Sequence, residues 1–120
     1  MSAVEHEDRH NPRAPFRGEV TLWRNREPVP ATARDIGPGG VFLETDAAMS
    51  EGALCVLRLK LPDQHGFTVM GRTVRSERGR PPLRAPGLAV EFVSIAPSQR
   101  FALRRFALRH RPVVTPRVVL

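Results

Sequence analysis

The chain has no tyrosine, one tryptophan and one cysteine. Lys60 is its only lysine, although it carries 19 basic residues in total. Each scarcity excludes something. A lone cysteine rules out a disulfide framework or a cysteine-based zinc site within one chain. Cys55 lies in the apolar run ALCVLRLKL, the setting of a buried, inert thiol rather than a nucleophile. No apolar stretch approaches the roughly 20 residues that a membrane-spanning helix needs. The start, MSAVEHEDRHNPR, is polar and lacks the apolar segment of a secretory signal. The expected location is therefore cytoplasmic. Carboxylates end at Glu91, after which come Arg100, Arg104, Arg105, Arg109, Arg111 and Arg117. That asymmetry gives the C-terminal part a basic face and keeps anionic partners in view. The histidines His6, His10, His65 and His110 show no metal-ligand spacing, and no Ser/His/Asp set or carboxylate pair stands out. Neither an enzyme nor a metal protein is expected.

What is present is a strand pattern. At 120 residues the chain makes one domain with a modest core. Residues 1–12 are polar and without period, and read as a flexible arm. From Phe16, the alternation of Phe16, Gly18, Val20 and Leu22 against Arg17, Glu19, Thr21 and Trp23 has the period of two of a half-buried strand. NREP turns the chain, and Val29 to Arg34 is a second strand. DIGPGG, residues 35–40, is a turn, and Val41 to Thr45 a third strand. Cys55, Leu57, Leu59 and Leu61 mark the inner face of a fourth. Phe67 to Ser76 is a fifth. The Pro- and Gly-containing stretch ERGRPPLRAPG is a loop, and Leu88, Val90 and Phe92 line a sixth strand.

The period then changes. APSQRFALRRFALRH reads as one helix over roughly 98–110, with Ser98 as N-cap and Pro112 as terminator. Ala102, Leu103, Phe106 and Ala107 form its core face, and Phe101 and Leu108 form an opposite apolar pair among arginines. Six short strands followed by a helix predict a mainly β fold: a six-stranded antiparallel barrel with a C-terminal α-helix. The expected organisation is an arm at 1–12, the barrel and helix at 13–111, and a tail at 112–120.

Two motifs carry chemistry. Arg9-His10-Asn11-Pro12-Arg13 places two guanidinium groups four residues apart, on one side of an extended chain. Asp35 opens a turn in which Gly37, Gly39 and Gly40 permit close approach to the backbone and expose N–H groups to an anion. Two forks, an acid and a glycine turn suit a ligand that carries both phosphates and guanine.

R-x-x-x-R followed by D-x-S-x-x-G at a turn between strands resembles the PilZ domain, which binds the bacterial second messenger cyclic di-GMP. The strand PGLAVEF, residues 86–92, is similar to the G-x-x-V-x-F segment common in that family. The resemblance covers residues 8–110. It implies that Arg9 and Arg13 engage guanine edges or phosphates, that Asp35 accepts from guanine N1–H and N2, and that Gly37 and Gly40 shape the turn. It also implies a switch in which ligand orders the arm and a protein partner reads the change. Arg13 and Arg17 form a second, overlapping R-x-x-x-R. The Arg9/Arg13 pair is preferred, because the family's second arginine sits just before the first strand. One position departs from the pattern: the family's serine is Gly37 here, and its hydroxyl is missing.

The expected function is a cyclic di-GMP receptor that relays occupancy to a protein partner. Two alternatives stand beside it. One is an adaptor that has lost its ligand and acts through protein contacts alone, using the Phe101 and Leu108 face. The other is a basic, nucleic-acid-binding barrel, disfavoured by the lack of an exposed aromatic platform on which bases could stack. A homodimer is compatible with all three.

Overall fold

The computed structural model describes residues 12–62, 65–77 and 86–110. The arm before Pro12, with Arg9, and the tail beyond residue 110 lie outside the described residues, as does most of the loop after the fifth strand. Six strands run in the order β1 (Ala14–Arg24), β2 (Glu27–Gly37), β3 (Gly40–Glu44), β4 (Leu54–Leu59), β5 (Phe67–Glu77) and β6 (Gly87–Ser94). One helix, α1 (Pro97–His110), follows them. The strands close into an antiparallel barrel, β1-β2-β3-β6-β5-β4, in which β1 pairs with both β2 and β4. This is the expected fold.

Alternation builds it. Val20 and Leu22, Val41 and Leu43, Leu57 and Leu59, and Leu88 and Val90 point inward and are buried, while their neighbours face outward. The β1–β2 hairpin turns through Asn25 and Arg26, which have φ values of 50° and 68°. Positive φ at both central residues is the signature of a two-residue turn whose twist matches the strands. Pro28 and Pro30 are tolerated because they pair with β1 only, β3 joining β2 from Thr32 onward.

Most element boundaries shift by one to three residues from the sequence reading, and three of the shifts bear on the site or the helix. The second strand does not stop at Arg34 but runs to Gly37, so Asp35 lies within a strand and the loop shrinks to Pro38-Gly39. Ladder pairing on both sides extends it, since Asp35 opposes Pro15 on β1 and Phe42 on β3. The first strand begins at Ala14 rather than Phe16. Ser98 is not the helix cap. The first helical bond runs from Arg100 N–H to the Ala96 carbonyl, and the Ala96 N–H donates to Gln99 Oε1 at 3.1 Å. Ala96 therefore caps the helix, with Pro97 in the first position and Gln99 reaching back as in one half of a capping box.

The helix packs on β1 and β2 and adds Leu103, Phe106 and Ala107 to the barrel's buried cluster. The Phe106 ring meets Phe16 edge-on, with centroids 5.5 Å apart. Phe101 and Leu108 are exposed, on the side facing away from the core.

Candidate functional site

Asp35 owes its position to an irregularity in β2. Ala33 opposes Leu43 and Asp35 opposes Phe42, so Arg34 is an extra residue in the ladder. Ala33 and Ile36 both point inward and are fully buried. The bulge thereby sends two consecutive side chains, Arg34 and Asp35, to the outer wall, where a regular strand would send one. Bulges commonly re-aim side chains in this way beside functional sites.

Arg13, the residue immediately before β1, reaches Asp35. Its Nε donates to Asp35 Oδ1 at 2.8 Å, and Nη2 donates to the same oxygen. Arg34 Nε lies 3.9 Å from Asp35 Oδ2, so the carboxylate sits between two guanidinium groups. Arg34 also covers Phe42, its guanidinium carbon 3.8 Å from the ring centroid. Phe42 points outward but is buried, because Arg34 stacks on it and its ring lies over Gly87. Such stacking is favourable for a guanidinium over an aromatic face.

Gly37 and Gly40 make room for neighbouring backbone. None of Gly37, Gly39 and Gly40 has a positive φ. What Gly37 and Gly40 permit is close approach within the chain. A Cβ on Gly37 would collide with the carbonyl oxygen of Pro12 and stand 3.3 Å from Arg13 Cγ. One on Gly40 would collide with the carbonyl of Val90 on β6. The loop is tied to β6 as well, since the Gly39 carbonyl accepts from Phe92 N–H at 2.9 Å.

The structure thus brings together Arg13, Asp35, Gly37 and Gly40, while Arg9 lies outside the described residues. Arg17 stands apart from them on the barrel wall, paired with Glu44 at 3.3 Å. Sequence reasoning missed Arg34 and Phe42. Their adjacency to Asp35 and Val41 was visible, but strict alternation hides the bulge that puts Arg34 beside Asp35. A cavity of about 290 Å³ opens next to Arg13, over Gly39, Gly40 and Ala89. A larger one of about 470 Å³ lies around residues 45–50 and touches none of the candidate residues.

Among the described residues no group of three or more histidine, cysteine, aspartate or glutamate side chains could hold a metal ion, and no helix is long and apolar enough to cross a membrane. Cys55 is buried, and its thiol pKa is raised by desolvation, with a backbone hydrogen bond involving Gly71 opposing the shift.

A small closed six-stranded barrel with a C-terminal helix packed on it places the chain in a class of small β-barrel domains. The PilZ domain family matches residues 7–109, and the chain belongs to it. Solved structures agree on the fold. The Bacillus subtilis inhibitor of motility, MotI/DgrA, superposes with a TM-score of 0.71 at 18% identity over 82% of this chain. This chain spans 49% of that protein's length. The PilZ domain of Escherichia coli YcgR, solved with c-di-GMP, gives 0.65 at 14% identity, covering 83% of this chain and 88% of that one. The PilZ domain of CeSA from a cellulose-synthesizing bacterium gives 0.60 at 18% identity, covering 81% and 95% respectively. No curated protein sequence matches.

Proposed function

We propose that this chain is a receptor for cyclic di-GMP, acting in the cytoplasm without catalytic activity, that passes ligand occupancy to a protein partner. The observation that carries the reading is the Arg13–Asp35 pair beside the Gly37–Gly40 turn. Support comes from membership of the PilZ family and from the fold shared with a PilZ domain solved with that ligand.

The chemistry runs by exchange. Without ligand, Arg13 and Asp35 satisfy each other. A guanine offers each a substitute: its O6/N7 edge accepts from the Arg13 fork, and its N1–H and N2 donate to the Asp35 carboxylate. The pair is half-exposed, with side chains 47% and 30% accessible, so parting it costs about 1 kcal/mol or less. Arg9 adds a second fork from the arm. Gly37 lacks the family's serine hydroxyl, and one missing hydrogen bond lowers stability of the complex by about 0.5–1.5 kcal/mol. Because Arg13 and Pro12 adjoin the turn, ligand capture there fixes the preceding arm against the barrel, and a partner protein reads that change.

One observation favours a second reading, the ligand-independent adaptor. Phe101 is 62% exposed and Leu108 44% exposed, on a helix whose outer side carries Arg100, Arg104, Arg105 and Arg109. Isothermal titration calorimetry with cyclic di-GMP at physiological salt separates the two. The receptor gives saturable heat that Arg13→Ala and Asp35→Ala each abolish. No heat from the wild-type protein at high concentration sinks the receptor reading and favours the adaptor.

A further inference from the structure

The barrel register sets a second cluster opposite the first. Asp35 on β2 opposes Phe42 on β3, Phe42 opposes Ala89 on β6, and Ala89 opposes Arg75 on β5. These four residues form one row across the outer wall. Strands lie about 4.8 Å apart, so the row spans roughly 14 Å from Asp35 to Arg75 along the backbone. The neighbouring outward row is Gly37, Gly40, Glu91 and Arg72. The strip is low at Gly40 and Ala89, which offer a hydrogen and a methyl group, while Phe42, roofed by Arg34, stands between Ala89 and Asp35.

A second bulge faces the one at Asp35. The register slips between Thr73 and Arg75. Thr73 is buried, whereas Val74 and Arg75 are both exposed. Each end of the strip therefore presents two consecutive side chains outward: Arg34 and Asp35 on one side, Val74 and Arg75 on the other. Between them lies the cavity of about 290 Å³, reached by Arg13 from one side and by Val74 and Arg75 from the other.

We infer that this strip is the floor of the ligand seat, and that Arg75 supplies a further guanidinium to the bound cyclic dinucleotide across β3 and β6 from Asp35. The inference rests on the proposed ligand. A guanine lying over the low floor at Gly40 and Ala89 is within the cavity that Arg13 lines from the Asp35 side, and Val74, on the opposite side, offers it apolar contact. Arg75 Nε donates to Glu77 Oε1 at 3.1 Å, which orients the planar group while its Nη donors serve a phosphate or an O6/N7 edge. Glu91, the carboxylate in the cavity lining, is already held by Arg72 at 2.9 Å, which reduces its repulsion of a phosphate.

Titration with cyclic di-GMP at physiological salt tests this on four variants beside the wild type. Arg75→Ala should weaken binding by about 10- to 100-fold, the loss of a charged hydrogen-bond donor. Arg75→Lys, which keeps the charge but loses the fork, should fall between Arg75→Ala and wild type. Ala89→Trp fills the floor and should weaken binding at least as much as Arg75→Ala. Arg58→Ala, at an exposed position on β4, should bind as wild type does. Unchanged urea midpoints for the Arg75 variants exclude misfolding as the cause. Wild-type affinity in both Arg75→Ala and Ala89→Trp, with binding lost in Arg13→Ala, overturns the inference and leaves the receptor reading standing. No binding by the wild type overturns both.

Discussion

The carbonyl oxygen of Pro12 occupies the space in which a side chain on Gly37 would begin. The chain entering β1 is thus seated directly on the residue that replaces the family's serine. The glycine has two consequences: the hydroxyl of the family pattern's serine is absent, and Pro12 gains a seat against the turn. Pro12 is itself buried.

Gly37→Ser and Gly37→Ala should therefore behave alike in the ligand-free protein, since the conflict arises at Cβ. Either must displace Pro12 or strain the turn, at about 1–3 kcal/mol, the usual range for overpacking. Gly40→Ala should cost more than Gly37→Ala. Its conflict is with Val90 in the middle of β6, which is held on both sides by β3 and β5, whereas Pro12 precedes the first strand and can yield. Urea midpoints at constant m-value measure this. A serine variant as stable as the wild type would show that the arm leaves the turn at no cost.

The fold was legible because the information for it is local. Period-two alternation in β1, β4 and β6 and the change of period at residue 97 dictate strands and helix with no knowledge of partners. The candidate site was legible only in part. Arg13, Asp35, Gly37 and Gly40 could be read from spacing and from their likeness to a family motif. Arg34 and Phe42, and the residues our proposal adds, Val74, Arg75 and Ala89, could not. Their placement depends on two bulges and on β3 pairing with β6, a pairing of strands far apart in sequence. Alternation assigns neighbours to opposite faces, so it places Arg34 and Asp35, or Val74 and Arg75, on different sides. At Gly37 and Gly40 the limit is similar. Sequence shows that bare backbone is needed, but not that Pro12 and Val90 are what come close.

Helix α1 divides its phenylalanines between two environments. Phe106 is buried and meets Phe16 edge-on, while Phe101 is largely exposed beneath Arg105, whose guanidinium carbon lies 5.8 Å from its ring centroid. Phe106→Ala should destabilise by about 3–5 kcal/mol, the cost of emptying a large core position. Phe101→Ala should stay within about 0.5 kcal/mol. A double-mutant cycle of Phe16→Leu and Phe106→Leu should return a coupling of about 0.5–1.5 kcal/mol for the edge-on pair. A coupling near zero would mean that the two rings contribute only through their separate burial.

Cys55 faces the barrel interior and is 4% exposed. Burial raises its thiol pKa above the ordinary value of 9.0, because the thiolate would be desolvated. The sign of the stability effect follows from proton counting. As pH rises through the ordinary thiol pKa, the unfolded chain releases this proton while the folded chain keeps it. The native state then binds more protons, and its stability falls with pH. The contribution is complete below the unfolded pKa and is lost as pH climbs toward the folded one. Urea midpoints measured from pH 7 to 10.5 should therefore decline more steeply for the wild type than for Cys55→Ala, which is less stable at pH 7 but has no thiol to titrate. A disulfide reagent should label Cys55 only as fast as the barrel opens, with labelling accelerated by urea and by destabilising variants such as Phe106→Ala. Parallel pH profiles for the two proteins, or rapid labelling of the native barrel, would show that the thiol is reached by water without unfolding.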